Sequence, residues 1–116
     1  MLRFDGLQLD SNVTPMDLDG LIEYHDRKIM LFEVKLGKTP VPYGEKTALE
    51  RMVNNFYKAG KDAIAVVAEH QVFDTKEDVI VKDCLVRELY YGKEKYWRAP
   101  KRMMTVEMLT NSFLFS

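Results

Sequence analysis

The sequence predicts an α/β domain in which an antiparallel hairpin precedes a β–α–β crossover, giving a mixed β-sheet flanked by helices. Two runs rich in β-branched and aromatic residues, LDGLIEY and KIMLFEVKL, flank the polar HDR, which is typical of a hairpin. A later run, DAIAVVAEH, is short and nearly all apolar, which is typical of a strand buried on both faces. An amphipathic stretch lies between them. Strand, helix and strand in that order predict a right-handed parallel crossover.

The helix of this crossover is marked by its apolar spacing and by a glycine at its end. After the hairpin, GKTPVPYG breaks the strand with two prolines and two glycines. Four apolar residues then recur at helical spacing: Leu49, Met52, Val53 and Phe56. Gly60 stands where a C-terminal cap is expected. The pattern predicts a helix over 45–59 and a buried strand over 63–69.

The rest of the chain predicts one or two further strands around Gly92 and a final helix opened by Thr105. A sheet with a buried parallel strand needs cover on both faces, and the helix at 45–59 can cover only one of them. Residues 1–15 show no helical period, and the final helix has the apolar content to cover part of the second face. We therefore expect two chains to complete the cover as a homodimer.

Length and composition favour one soluble domain. The chain has 116 residues, enough to bury about two-thirds of its unfolded surface, so we expect a single domain over 1–116. No apolar run approaches the roughly 20 residues that cross a bilayer, which argues against a membrane protein. A single cysteine and the lack of a signal pattern favour the cytoplasm. The net charge of −1 gives no global attraction to nucleic acid, so any such affinity must be local.

The hairpin sorts its charged residues onto one face, because strand side chains alternate between faces. A three-residue loop would pair Tyr24 with Lys28. In that register Asp19 lies opposite Glu33, and Lys35 follows two residues further along the same face. A loop one residue longer or shorter would scatter these charges.

Carboxylates that converge in this way predict a cation site. Two or three carboxylates repel one another unless a cation lies between them, and Mg²⁺ or Mn²⁺ prefers oxygen ligands. A lysine beside them could orient or help to deprotonate a metal-bound water. The alternative is a cross-strand charge network on a solvated face, which contributes little stability.

These residues resemble the PD-(D/E)XK nuclease superfamily, which includes restriction enzymes, Holliday junction resolvases and small phage nucleases. The pattern of that family is an aspartate on one hairpin strand and Glu-x-Lys or Asp-x-Lys on the next, followed by a helix and a parallel strand. Here LDG and EVK stand fourteen residues apart, from Asp19 to Glu33. The resemblance covers about residues 15–70. It implies a restriction-endonuclease-like fold and a Mg²⁺-dependent deoxyribonuclease, with endonuclease or exonuclease action left open.

The resemblance also implies roles for individual residues. Asp19 and Glu33 would be catalytic metal ligands, Lys35 the catalytic lysine, and the backbone carbonyl of Val34 a further ligand. Asp17 is the alternative to Asp19 as the first aspartate. Members of the family commonly have a helix before the first strand, which this sequence does not predict. The sequence therefore leaves open whether one chain holds the complete active site. On the predicted helix, three residues lie off the apolar stripe and could face the metal or the substrate: Lys46, Glu50 and Arg51.

A basic and aromatic segment near the end of the chain predicts contacts with DNA. Lys93, Lys95 and Arg98 surround Trp97, a mixture that binds phosphates and stacks on bases. The alternative is a solvated edge strand whose lysines oppose aggregation. For the whole protein, the second hypothesis is a non-catalytic nucleic-acid-binding or assembly module that keeps the nuclease-like fold.

Overall fold

Five strands and two α-helices form the part of the chain that the computed structural model describes, residues 16–72 and 76–116. The strands are β1 (Gly20–Tyr24), β2 (Lys28–Leu36), β3 (Asp62–His70), β4 (Leu85–Tyr91) and β5 (Trp97–Arg98). The helices are α1 (Tyr43–Lys58) and α2 (Val106–Phe115), and a short 3₁₀ helix covers Val81–Asp83. The sheet order is β1-β2-β3-β4-β5, with β2 and β3 parallel and the other pairs antiparallel. The predicted mixed α/β sheet is confirmed, whereas the expectation for residues 1–15 falls outside the described residues.

The hairpin has the predicted register. Tyr24 pairs with Lys28 across three residues, and the Arg27 N–H donates to the Tyr24 carbonyl at 3.0 Å. His25 and Asp26 adopt positive φ angles of 51° and 58°, which close the turn. Aspartate tolerates this left-handed geometry better than most residues do. The three-residue turn therefore fixes the register between β1 and β2.

The crossover from β2 through α1 to β3 forms one side of the core. Parallel pairs run from Lys28 with Asp62 to Leu36 with His70. The α1 stripe packs on the sheet in a buried cluster of Ile29, Leu31, Leu49, Val53, Ala63, Ala65 and Tyr90. Gly60, with a φ of 89°, ends the helix, as the sequence predicts. The predicted helix and strand differ from α1 and β3 by no more than two residues at any boundary.

The opposite face of the sheet carries a second core, which α2 helps to cover. Thr105 caps this helix, since its hydroxyl accepts the Met108 N–H at 3.2 Å. The cluster includes Met30, Phe32, Ile64, Val66 and Leu89 from the sheet and Val106, Leu109 and Leu114 from α2. The prediction that the end of the chain covers part of the apolar hairpin face is confirmed. No helix within the described ranges has the length and apolar character to span a bilayer.

Gly92, which follows β4, permits a close approach between α1 and the sheet. A Cβ at this position would lie 2.8 Å from the Tyr57 Cβ and 3.3 Å from a Val53 methyl. Neither neighbour can move aside without moving α1. Gly44, near the start of α1, has no atom within 4 Å of its built Cβ and offers a matched control.

We expect Gly92→Ala to lower the free energy of unfolding by about 1–3 kcal/mol, because overpacking at this contact forces α1 outward. Gly44→Ala should change it by no more than about 1 kcal/mol, in the stabilising direction. Urea unfolding of the two variants and the parent measures both effects. Equal stability of Gly92→Ala and the parent would show that α1 does not pack as closely as described.

Candidate metal centre

The first aspartate and the glutamate of the predicted motif meet at the end of the hairpin. The last β1–β2 pair joins Gly20 with Phe32, so Asp19 and Glu33 are the next residues on the two arms of the hairpin. The Asp19 carboxylate accepts the Val34 N–H at 2.7 Å. Asp19 is exposed at this edge and also borders a cavity of about 270 Å³ on the α2 side of the sheet. The Asp19 carboxylate is therefore held by a hydrogen bond from the β2 backbone and is open to solvent.

Glu33 is buried, with 6% of its surface exposed. It shares the α1 side of β2 with Ile29 and Leu31, which belong to the core under that helix. Burial raises the pKa of the Glu33 carboxyl, the charge of Asp19 raises it further, and Lys35 opposes both effects. A cation beside Glu33 would stabilise the ionised carboxylate and lower its pKa. The alternative of a solvated charge network does not describe this residue, because solvent barely reaches it.

Lys35 bridges two carboxylates. Its Nζ lies 3.3 Å from Glu33 Oε1 and 3.6 Å from Glu45 Oε2. Burial lowers the pKa of Lys35, but the two glutamates raise it more strongly, so the net direction is upward from 10.5. The side chain therefore stays an ammonium, which suits a hydrogen-bond donor and not a general base.

Glu45 is the site residue that the sequence analysis missed. It lies in the first turn of α1, four residues before Leu49, and so on the helix face that turns toward the sheet. That spacing is the signal that could have identified it. Lys46, one of the helix residues singled out from the sequence, instead forms a close ion pair with Glu88 on β4.

Asp17 and Val34 complete the predicted ligand set. Asp17 and Asp19 are both exposed and precede β1, but it is Asp19 that accepts a hydrogen bond from β2, donated by the Val34 N–H. Val34 lies between Glu33 and Lys35 in β2, where it pairs with Ala68 of β3. The geometry of the described residues thus favours Asp19 over Asp17 as the partner of Glu33.

Arg87 fixes the connection that leads from Lys35 to Glu45. It lies in β4 at the register shift opposite Val67 and Ala68, where one extra residue redirects the strand. Its guanidinium donates to the Thr39 carbonyl at 2.6 Å and closely to the Gly37 carbonyl. These hydrogen bonds hold the connection before α1 against β4.

The predicted nucleic-acid segment lies around β5, at the other edge of the sheet from β1. Trp97 is half-buried against Tyr90, with ring centres 5.4 Å apart, and Lys46 Nζ lies 4.9 Å from its ring centre. The indole therefore packs within the protein on the α1 side. This contact leaves less of the ring available for base stacking than the sequence predicts.

The three basic residues of this segment differ in their partners. Lys95 Nζ donates to the Gly92 carbonyl at 3.0 Å, and Arg98 Nε donates to Glu94 Oε1 at 3.1 Å. Lys93 is exposed. All three remain close enough to solvent to contact phosphates.

In the described part of the chain, no group of three or more acidic, histidine or cysteine side chains is arranged to hold a metal ion. Comparison with protein-family models, curated proteins and solved structures finds no match. The resemblance to the PD-(D/E)XK nucleases therefore rests on the motif and on the order of the elements around it.

The raised pKa of Glu33 predicts a pH-dependent stability. Because the folded pKa lies above 4.5, the folded chain holds more protons than the unfolded chain between the two values. The free energy of unfolding should fall as the pH rises through this window and stay reduced above it. We expect Glu33→Gln to be more stable than the parent at pH 7, with a gain that shrinks toward pH 4.

Denaturant unfolding between pH 4 and 8 in a chelator checks this prediction. Glu77→Gln, which alters an exposed carboxylate, is the control and should show no such gain. Destabilisation by Glu33→Gln at pH 7 would mean that the Lys35 ion pair outweighs the cost of burial.

Proposed function

We propose that this protein is a metal-dependent nuclease of the PD-(D/E)XK type, with a restriction-endonuclease-like sheet, that hydrolyses phosphodiester bonds in DNA. The observation that carries the proposal is the convergence of Asp19, Glu33 and Lys35, with Glu33 buried. The order of a hairpin, a helix and a parallel strand agrees with that family. Burial of an ionisable group costs stability, and strongly perturbed groups of this kind cluster at functional sites, which supports the proposal.

The donor set suits Mg²⁺ or Mn²⁺. Asp19, Glu33 and the Val34 carbonyl would supply hard oxygen ligands, with Asp17 as the alternative first aspartate. Burial and the charge of Asp19 raise the pKa of Glu33, and a bound cation would stabilise its ionised form. When bound, the ion would polarise the scissile phosphate and acidify a water molecule.

Lys35 and Glu45 would work together beside these ligands. The Lys35 ammonium donates hydrogen bonds, so it would hold the attacking water and offset charge that develops on the phosphate. Glu45, 3.6 Å from Lys35, restrains the lysine from the helix side. Lys93, Lys95 and Arg98 would contact the DNA backbone outside the catalytic centre.

The second candidate is a non-catalytic nucleic-acid-binding or assembly module with the same fold. One observation favours it: Lys35 lies against Glu33 and Glu45 and already supplies positive charge to the cluster. In this case the charge network would have a structural role, and the basic segment would carry the function.

Metal binding and cleavage separate the two candidates. Calorimetry with Mn²⁺ should detect a site that Glu33→Ala abolishes, because a main ligand is lost. Lys35→Ala should retain metal binding and folding but lose DNA cleavage by at least about 100-fold, since the lysine acts on the water. Plasmid, linear duplex, single-stranded and branched DNA are incubated with Mg²⁺ or Mn²⁺.

Glu77→Ala is the matched control and should behave as the parent in both assays. Absence of metal binding and of cleavage on all four substrates would favour the non-catalytic module. Cleavage that survives Lys35→Ala would contradict the role assigned to the lysine.

A homodimer is part of the proposal, because two centres could then act on the two strands of a duplex. Exposed apolar side chains on and before α2 support it: Met103 is 80% exposed, Met108 55% and Phe115 67%. We expect a dimer at micromolar concentration, burying on the order of 1,500 Å². Met103→Glu with Met108→Glu should produce a folded monomer.

Light scattering measures the mass, and circular dichroism checks the fold of each variant. Leu21→Glu, at an exposed apolar position on β1, is the control and should remain dimeric. A monomeric parent would refute the dimer and would require the site to be complete within one chain.

A further inference from the structure

A cavity of about 320 Å³ lies at the end of the sheet opposite the candidate metal centre. Lys28 and Asp62, which begin β2 and β3, line it together with residues from the ends of β4 and α2. Lys28 and Lys35 are seven residues apart in the same strand, which corresponds to about 23 Å. The cavity is therefore separate from Glu33 and Lys35.

Three aromatic rings that line this cavity each have a cation packed against them. The pairs are Lys28 Nζ with the Phe113 ring at 5.5 Å, Lys95 Nζ with the Tyr57 ring at 5.0 Å, and the Arg98 guanidinium with the Tyr91 ring at 5.3 Å. All three rings line the cavity. Such contacts hold a cationic group in place and keep it partly dehydrated. The positive charge around the cavity is therefore positioned before any ligand arrives.

A second cavity of about 380 Å³ adjoins the first and shares Tyr91, Arg98 and Ser112 with it. It adds two exposed basic residues, Lys101 and Arg102. We call the two cavities together the Arg98 groove. Five basic side chains line it, against the acidic pair Asp62 and Glu94. Its charge is opposite to that of the Asp19–Glu33 cluster.

Several donors in the groove are free to bind an anion. Arg98 uses Nε for Glu94, and its two terminal nitrogens form no hydrogen bond with another described residue. Lys93 has no ion-pair partner among the described residues. Burial raises the pKa of Tyr91, against the opposing effect of Arg98, so its phenol keeps its proton and can donate. By contrast, Lys28 Nζ donates to the Phe113 carbonyl at 2.6 Å and serves to hold the end of α2.

We propose that the Arg98 groove is a phosphate-binding site, separate from the metal centre, that takes a terminal or backbone phosphate. The planar guanidinium of Arg98 suits two oxygens of one phosphate, and Lys93 adds a mobile charge at the rim. The ligand is either a nucleic-acid phosphate or a small phosphate compound. Phosphate binding at this site requires neither a bound metal nor DNA cleavage. Only the identification of the ligand as a nucleic-acid phosphate rests on the proposed function.

Nuclear magnetic resonance titration without divalent metal tests the proposal. Inorganic phosphate and a 5′-phosphorylated oligonucleotide are each added at constant ionic strength to the full chain and to Glu33→Ala. Saturable amide shifts should appear around Gly92, Lys93 and Arg98 in both proteins. Lys93→Gln with Arg98→Gln should weaken the binding by about tenfold or more, since charge-assisted contacts are lost.

Lys38→Gln with Lys82→Gln is the matched control, because it removes two exposed cations outside the groove. It should bind as the parent does. Saturation by phosphate alone would identify a small compound, whereas much tighter binding of the phosphorylated oligonucleotide than of its unphosphorylated form would identify a nucleic-acid end. Scattered, unsaturable shifts, or equal loss of binding in the control, would overturn the proposal. Loss of binding in Glu33→Ala alone would place the phosphate at the metal centre instead.

Discussion

The register between β1 and β2 is the constraint on which the other features of the structure depend. Side chains on a strand alternate between faces, so a slip of one residue would exchange the two faces of the hairpin. With Tyr24 opposite Lys28, Ile29 and Leu31 enter the core under α1, while Met30 and Phe32 enter the core that α2 covers. The same register brings Asp19 beside Glu33. The three-residue turn thus fixes two hydrophobic cores and one charged cluster at once.

Among the charged residues that the structure describes, Glu33 is the buried one, with 6% of its surface exposed. A buried carboxylate beside another carboxylate destabilises the fold unless cations compensate for it. Lys35 supplies part of that compensation, and the Glu45 carboxylate in turn holds Lys35. An apolar or amide side chain at position 33 would be easier to bury. The proposed nuclease would give this ionisable group a chemical role at the site.

The sheet also separates two electrostatic regions. The Asp19–Glu33 cluster lies at one end of β2, and the Arg98 groove lies beyond the other end. A negative cluster suits a divalent cation, whereas the basic groove suits phosphate. A nucleic acid that reached both regions would span about seven nucleotide steps along the sheet. Because β2 connects the two regions as one rigid element, their separation is set by strand geometry and not by a flexible loop.

The sequence by itself determined the hairpin and its register, the crossover through α1, the capped start of α2 and the pairing of Asp19 with Glu33. These features follow from local rules, since alternation, helical spacing and turn residues act over a few positions. Only the tertiary structure decided that Glu45 reaches Lys35, that Trp97 packs against Tyr90, and that Lys93 and Arg98 share a groove with residues of α2. Each of these contacts joins two different elements of the fold. Helical spacing places Glu45 on the sheet side of α1, but the partner that each of these side chains meets depends on how helices and strands pack in three dimensions.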